Sequence, residues 1–197
     1  MNARQFAHNA TSLFRSAQRT YNFAKISRQL YCMTAPEIIH QLNLNPHPEG
    51  GFYKEVYRAK GTIKEQALPS CFGGERNYST SIYYLLQKSD YSAFHRIKSD
   101  ELWHFYAGGT LRIHCLSEES GYTCLQLGNN LAKGESFQLV VPAGAWFAAE
   151  PAAQTNFTLA GCTVSPGFDF SDFEMAKKES LLQQFPHHKA IINRLCR

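Results

Sequence analysis

The chain has 197 residues, of which 13% are aromatic and 18% are charged, so it is long enough for one hydrophobic core and too apolar for a disordered protein. The formal net charge of +4 is unevenly spread: residues 1–36 carry five basic side chains and no acidic one, and the remainder holds 15 basic and 16 acidic residues. A near-neutral body argues against a nucleic-acid-binding protein, and no run of about 18 apolar residues predicts a membrane span.

The N-terminal segment differs from the rest of the chain. Residues 1–32 are basic, free of acid and rich in Ser, Asn, Gln and Ala, which is typical of a mitochondrial transit peptide. The alternative is an upstream extension, because Met33 is itself a candidate start. We divide the chain into a basic extension (1–33), one domain (34–185) and a C-terminal tail (186–197). The protein is expected to be intracellular, mitochondrial if the extension is a transit peptide and cytoplasmic otherwise.

Six cysteines are scattered without the CxxC spacing of metal or redox motifs. We see no secretory h-region near the start and therefore expect reduced thiols. Cys115, Cys124 and Cys162 fall in strand-like stretches, where they are expected to act as small core side chains. A disulfide framework is the alternative.

Two helix signals enclose a series of short strand signals. Thr34-Ala-Pro-Glu37 is a capping box and predicts a short helix that ends near Asn43. Ser171-x-x-Glu174 is a second capping box and predicts a helix to about Gln184. Between them, β-branched and aromatic stretches alternate with Gly, Pro and Asn turns, which predicts at least eight strands. The predicted fold is an all-β jelly roll, in which His47-Pro-Glu-Gly-Gly51 forms a rigid loop or borders a pocket.

The most informative stretch is residues 92–109, which reads as strand, turn, strand and glycine turn. Side chains on one face of a strand recur at every second position, so His95 and Ile97 share a face. After the turn, Glu101 and Trp103 share a face by the same rule. A histidine and a carboxylate among apolar neighbours indicate the lining of a pocket inside a small barrel.

These residues carry a family resemblance. The first motif of the cupin superfamily is a glycine, then His-x-His, a short gap, Glu, six residues and Gly; His95, Ile97, Glu101 and Gly108 fall at its positions. The second motif is matched by Pro142-Ala-Gly144, with Phe147 where the histidine would be. Further segments resemble the cupin type 5 branch, called domain of unknown function 985: His47-Pro-Glu-Gly-Gly51-x-Tyr53, Tyr57-Arg58, Ser81-Ile-Tyr-Tyr-Leu85, Phe94-His-Arg96, Ser99-Asp-Glu101, Trp103-x-Phe-Tyr106, Val141-Pro-Ala-Gly144-x-Trp146 and Val164-Ser-Pro-Gly-Phe168.

The resemblance covers about residues 34–175. It implies a double-stranded β-helix, the cupin jelly-roll barrel, with short flanking N- and C-terminal helices. It also implies an internal pocket and a homodimer. It supplies no known reaction.

Metal binding is not favoured by the residues at the motif positions. A usual cupin site offers three imidazoles and one carboxylate to a divalent metal. Ile97 and Phe147 stand at two of those positions and cannot donate, and His104 and His114 fall out of phase with the pocket-facing residues. We therefore expect no bound metal cofactor, and a divalent metal oxygenase or isomerase is the alternative.

Acid–base catalysis is the favoured chemistry. His95 is the predicted base, with Glu101 or Asp100 orienting its ring and a tyrosine, Tyr83 or Tyr106, as the partner acid. The chain is similar here to the metal-free sugar-nucleotide epimerases of the superfamily, such as dTDP-4-dehydrorhamnose 3,5-epimerase, and this resemblance reaches only His95. The alternative is a buried polar pair in which His95 and Glu101 satisfy each other.

The predicted ligand is a small, sugar-like molecule. The aromatic, partly polar pocket is expected to consist of Tyr53, Arg58, Tyr83, Trp103 and Trp146, with Arg58 or Arg96 contacting a carboxylate or phosphate. Alternatively, several of these aromatic residues pack in the core or in a dimer interface. The sequence thus predicts a small-molecule-binding cupin, with metal-independent isomerase or epimerase activity on a sugar or nucleotide sugar as one reading and non-catalytic binding as the other.

Overall fold

The structure, a computed structural model, describes residues 33–197. The transit peptide or upstream extension expected at residues 1–32 lies outside this range. The helices are α1 (Ala35–Leu42), α2 (Lys178–Gln184) and α3 (Lys189–Leu195). The strands are β1 (Asn45–Pro46), β2 (Phe52–Arg58), β3 (Thr62–Ile63), β4 (Arg76–Asn77), β5 (Thr80–Gln87), β6 (Ser92–Arg96), β7 (Asp100–Gly108), β8 (Leu111–Ser117), β9 (Gly121–Leu127), β10 (Gln138–Val141), β11 (Trp146–Pro151), β12 (Phe157–Ser165) and β13 (Glu174–Met175).

Two antiparallel sheets form the jelly roll. One has six strands in the order β1-β2-β5-β12-β7-β10, and the other has five in the order β13-β6-β11-β8-β9. Non-consecutive strands lie side by side in both sheets, as a Greek-key jelly roll requires. β3 and β4 make a separate two-stranded sheet. The predicted all-β class and jelly-roll fold are confirmed.

The main hydrophobic core fills the space between the two sheets. Trp103 of β7 packs edge-to-face on Tyr84 of β5 and on Phe147 of β11, with ring centroids 5.6 and 6.4 Å apart. All three rings are almost completely buried. Because these rings come from three strands in two sheets, their burial fixes how the sheets face each other.

A second core lies on the outer face of the five-stranded sheet. Phe94 and Leu116 point away from the barrel and pack with Leu181 of α2 and with Ile192 and Leu195 of α3. β6 is therefore buried on both faces, one by the barrel and one by the C-terminal helices. Residues 186–197 were predicted to be a tail. They form a three-residue helical turn (Pro186–His188) and helix α3, which packs into this core.

One predicted helix start is confirmed and the other is wrong. The backbone N–H and hydroxyl of Thr34 both donate to Glu37, at 2.7 and 2.8 Å, as in a capping box. The Ser171–Glu174 box does not open a helix, because Glu174 and Met175 pair with β6 as strand β13 and α2 begins only at Lys178. Sheet pairing with β6 therefore overrides the local helix signal.

Five cysteines lie in the described residues, and all five are free thiols. Cys115 and Cys162 are buried, as expected. Cys124 is exposed, so its predicted place in the core is wrong: its side chain lies on the outer face of β9, the edge strand of the five-stranded sheet. Within residues 33–197, no helix is long and apolar enough to cross a bilayer.

Candidate active site in the barrel cavity

A cavity of about 280 Å³ opens at one end of the barrel. Its floor contains titratable side chains from β6, β7 and the turn before β2, and its mouth contains aromatic residues that follow β12. The volume lies near the lower end of the range for small-molecule pockets. The lining residues are His47, Glu49, Tyr53, Glu55, Arg58, Thr80, Ile82, His95, Ile97, Glu101, Cys162, Val164, Phe168, Asp169, Phe170 and Phe173.

His95 and Glu49 form a buried pair at the floor. His95 Nδ1 lies 2.7 Å from the carbonyl oxygen of Ala93, which can only accept a hydrogen bond, so Nδ1 carries a proton. His95 Nε2 lies 3.0 Å from Glu49 Oε2. A hydrogen bond at this distance needs one further proton between the two groups, and the pair therefore shares a proton. Both ring nitrogens of His95 are occupied within the protein.

The turn that carries Glu49 is clamped to the barrel. The Glu49 carbonyl accepts from Ala93 N at 2.9 Å, and Ser92 Oγ donates to Glu49 Oε1 at 3.0 Å. The buried Tyr84 hydroxyl donates to the carbonyl of Gly50 at 2.7 Å. Gly50 has φ of +121°, and a Cβ there would overlap the Tyr91 carbonyl, so glycine is required for this close approach. The Glu49 carboxylate is thus held in place before any ligand binds.

His47, on the same turn, stays neutral near pH 7. Burial lowers the pKa of its imidazole, partly offset by the charge of Glu49. Its Nδ1 lies 3.4 Å from the backbone N–H of Glu49, which donates to it. The ring packs edge-on against Tyr53, with centroids 4.5 Å apart. His47 therefore supports the turn and lines the cavity without adding a positive charge.

Glu101 is the second carboxyl of the floor and is held in its neutral form. Burial raises the pKa of Glu101 to about 8, and the negative charge of Glu49 adds to the increase, while Cys162 and Trp103 oppose it. Trp103 Nε1 lies near this carboxyl without meeting hydrogen-bond geometry; it is the only fully buried side-chain nitrogen or oxygen without a partner in residues 33–197. A neutral carboxyl and an ion-paired carboxyl therefore face one cavity.

The residues at the metal-ligand positions do not fit a metal ion. The Phe147 ring packs 4.0 Å from the His95 ring, centroid to centroid, and Ile97 lines the cavity wall. Neither side chain has a donor atom, and His95 Nε2 is already bonded to Glu49. Within residues 33–197, no three His, Cys, Asp or Glu side chains are placed to hold one metal ion. The donor set thus lacks what a divalent transition metal needs.

The mouth of the cavity is built by residues 168–173. Phe168, Phe170 and Phe173 pack edge-to-face, with centroids 5.1 to 6.2 Å apart. This turn is anchored by a buried ion pair in which Arg76 Nε and Nη2 donate to the two oxygens of Asp172 at 2.6 and 2.7 Å. Bidentate pairs of this kind fix geometry, so the aromatic rim is preorganised.

The family model described as "Cupin superfamily (DUF985)" matches residues 36–176. The chain belongs to this cupin family. It is 28% identical over 171 residues to the uncharacterized protein YML079W of Saccharomyces cerevisiae, covering 82% of this chain and 85% of that protein.

Two solved structures are similar over most of their length. Protein SO0799 from Shewanella oneidensis is 41% identical with a TM-score of 0.76, covering 84% of this chain and 99% of that one. A hypothetical protein from Leishmania major is 34% identical with a TM-score of 0.75, covering 83% of this chain and 99% of that one. None of these names carries an activity.

The cupin barrel brings together only part of the predicted site. His95, Glu101, Tyr53 and Arg58 all line the cavity. Trp103 lies behind this wall in the main core, 1% exposed.

The other predicted site residues lie elsewhere. Tyr83 is on the opposite face of β5, where its ring contacts Tyr106 at 5.9 Å, so neither tyrosine reaches the cavity. Arg96 pairs with Glu174 and stacks 4.4 Å above the Trp146 ring on the outside of the barrel. Their strand positions have the opposite phase to those of the cavity residues.

The predicted orienting partners of His95 are corrected as well. Its ring is held by Glu49 and the Ala93 carbonyl, and Asp100 instead accepts from the backbone N–H of Ala143 at 2.8 Å. Glu49 was missed because it is 46 positions away from His95 in sequence, although the loop that contains it was recognised as unusual. The aromatic rim was also missed, because the second capping box predicted a helix there.

Proposed function

We propose that this cupin binds a small carbonyl compound of sugar-like size in the barrel cavity and transfers protons on it without a metal, as an isomerase or epimerase. The observation that supports this most is the pair of carboxyls on one cavity floor, one hydrogen-bonded to an imidazole and the other with a pKa raised by burial. Glu49 is bonded to His95, and Glu101 is kept protonated by burial. Such a pair is the usual arrangement of a general base beside a general acid.

The role of each floor residue follows from which of its atoms are not already hydrogen-bonded within the protein. His95 cannot reach a ligand directly, because both of its nitrogens are bonded within the protein. Glu49 therefore accepts the proton from the carbon next to the carbonyl, and the imidazolium of His95 steadies the Glu49 carboxylate. The Glu101 carboxyl gives its proton to the carbonyl oxygen, which yields a neutral enediol. Glu49 then delivers its proton to the former carbonyl carbon, and the Glu101 carboxylate takes the proton of the neighbouring hydroxyl. The carbonyl thus moves by one carbon, and no proton is gained or lost.

The shape of the cavity supports a small reacting part. Its volume of about 280 Å³ and its wall of Ile82, Ile97 and Val164 suit a single ring or a short chain. Any larger portion of a substrate would remain at the mouth, against the aromatic rim.

Solvent-deuterium exchange tests the proposal. The wild-type protein is incubated in D₂O with D-fructose, dihydroxyacetone, L-rhamnulose and a dTDP-linked 4-keto-6-deoxyhexose, and proton NMR follows the signal next to the carbonyl. We expect protein-dependent loss of that signal for at least one compound. Glu101→Gln is expected to slow the exchange about 100-fold or more, since it removes the acidic proton.

Glu135→Gln is the matched control. Glu135 is as buried as Glu101, at 8% exposed, but it bonds to Thr110 and Asn130 away from the cavity. It should leave the exchange rate unchanged. Binding of a compound without any exchange would contradict the catalytic proposal and establish the non-catalytic, ligand-binding function instead.

A further inference from the structure

The ionisable side chains that the described residues place on the cavity lining are mostly carboxyls. The lining contains one arginine and no lysine, whereas four of its residues carry carboxyl groups: Glu49, Glu55, Glu101 and Asp169. Two histidines also face the cavity. His95 is matched by Glu49, and burial keeps His47 neutral. The two histidines therefore add no net positive charge to the lining.

Arg58 is the only guanidinium that residues 33–197 place at the cavity, and most of its N–H donors are already hydrogen-bonded. Nε and Nη2 donate to the two oxygens of Glu55, at 3.0 and 2.7 Å. Nη1 donates to Asn77 Oδ1 at 2.8 Å and to the Phe168 carbonyl at 3.2 Å. A guanidinium has five N–H donors, so these bonds leave one for a ligand. The predicted role of Arg58 in binding a phosphate or carboxylate is thus weakened by its own contacts.

Asp169 is the carboxylate at the mouth that forms no ion pair with a described residue. One of its oxygens accepts from Ser171 N at 2.8 Å, and hydrogen bonds from Ser171 lower the pKa of Asp169, which keeps it ionised. The charges of Arg76 and Arg58 also lower this pKa. It lies between Phe168 and Phe170 in sequence, and the Phe170 ring is 56% exposed. Aromatic faces attract cations, and an adjacent carboxylate adds to the attraction.

Among the described residues, the floor carries no unpaired charge, because Glu49 is paired with His95 and burial keeps Glu101 neutral. Glu101 has no basic side chain among the lining residues near it other than the matched His95, and the negative charge of Glu49 acts on it. The unpaired charge of the lining is therefore that of Asp169, which attracts a cation and repels an anion. The mouth therefore favours a ligand of positive charge.

We propose that the natural ligand is an organic cation, such as an amino sugar, whose ammonium group is held at the mouth by Asp169 and the rings of Phe168 and Phe170. A phosphate ester or nucleotide sugar is thereby disfavoured. This inference rests on the proposed function only in placing the ligand in this cavity, and it does not depend on proton transfer.

Binding of three sugars that differ in charge tests it. D-glucosamine, D-glucose and D-glucose 6-phosphate are titrated into the full-length protein at pH 6.5 and low salt, with ligand-observed NMR as the readout. We expect glucosamine to bind at least about tenfold more tightly than glucose 6-phosphate, with glucose between them. The advantage of glucosamine should shrink as salt is added. Equal affinities, no binding of any sugar, or tightest binding of the phosphate would overturn the proposal.

Two aspartate variants test whether Asp169 is the group that binds the ammonium of glucosamine. Asp169→Asn is expected to weaken glucosamine binding about threefold and to leave glucose binding unchanged. Asp100→Asn is the matched control, because Asp100 is also exposed and also accepts one backbone N–H at 2.8 Å, but it does not line the cavity. An equal loss in both variants would overturn the role of Asp169.

The outcome separates this inference from the proposed function. Charge-selective binding without deuterium exchange would leave the cation site standing and reject the catalytic proposal. Deuterium exchange on a neutral or phosphorylated compound, with no preference for glucosamine, would reject the cation site alone.

Discussion

Two buried histidine–glutamate pairs lie on opposite faces of the same sheet. His95 on β6 and His114 on β8 are each 3% exposed, and both strands flank β11. His95 is opposite Phe147 and His114 is opposite Ala148, so consecutive residues of β11 separate the two rings onto different faces. His95 faces the cavity, and His114 faces the side of the C-terminal helices.

The partners of the two rings differ in kind. His114 Nδ1 is 2.9 Å from the Tyr122 hydroxyl, and its Nε2 is 3.2 Å from Glu150, which Arg194 of α3 also contacts. The charge of Glu150 is thus balanced by an arginine. Glu49, beside His95, has a second carboxyl as its neighbour. The surroundings of the two pairs therefore differ. Glu150 is balanced by an arginine, which suits a structural role, whereas Glu49 lies beside a second carboxyl, as the proposed proton transfer requires.

The largest expected effect is on catalysis. His95→Gln removes the charge that steadies Glu49, and the deuterium exchange defined above is expected to fall about 100-fold or more. His114→Gln should change the exchange rate less than about twofold, since its pair does not face the cavity. Both variants are compared at matched folded fraction by circular dichroism. Loss of exchange in both to the same degree would show that the pairs do not differ in function.

The second effect is on stability. Glu49→Ala leaves His95 Nε2 buried without its partner and is expected to lower the free energy of unfolding by about 3 kcal/mol or more. Glu150→Ala is expected to cost less, about 2 kcal/mol, because it leaves only His114 Nε2 buried without a partner while the partly exposed Arg194 regains water. Glu49→Ala also removes the acceptor of Ser92 Oγ. Urea denaturation measures both. A larger loss for Glu150→Ala would mean that the outer pair is the main structural one.

The third effect is the pH dependence of stability, with opposite signs in the two regions. The pKa of Glu101 is raised from 4.5 to about 8, so the folded state binds more protons than the unfolded state in that window. Stability therefore falls as pH rises from about 4.5 to about 8. In Glu101→Gln this slope should be weaker, so that the variant gains stability over the wild type as pH rises.

For His114 the direction is reversed. Burial lowers the pKa of His114 below 6.5, so the unfolded state takes up protons first and stability falls as pH drops below 6.5. His114→Gln should lessen that loss. Urea midpoints between pH 4.5 and 8.5 measure both slopes, and unchanged slopes in the two variants would contradict these assignments.

The smallest expected effect is that of chelation. Removing divalent metals with EDTA should leave both the exchange rate and the melting temperature unchanged, because Ile97 and Phe147 replace donor residues at the cavity floor. Metal analysis accompanies the measurement. One equivalent of iron, nickel, manganese or zinc, with loss of activity on chelation, would contradict the donor-set argument.

The alternation of residues along the strands was sufficient to predict much of the site. His95, Ile97 and Glu101 were placed on the cavity side by their period of two, and the structure has all three there. Tyr83, Arg96 and Trp146 suit a ligand pocket by residue type but not by their positions in the strands. Their positions in the strands put them on the opposite face, as strand geometry requires.

Sequence patterns alone predict the β class, the jelly roll, the inward direction of His95 and Glu101 and the lack of metal donors at two motif positions. These are local properties, because each depends on spacing along one strand or one motif. Three other properties are visible only in the folded chain: Glu49 is the partner of His95, Glu101 stays neutral, and residues 168–173 form an aromatic rim. Those properties arise from contacts between distant segments and from burial, and no pattern along the chain encodes the distance between two such segments.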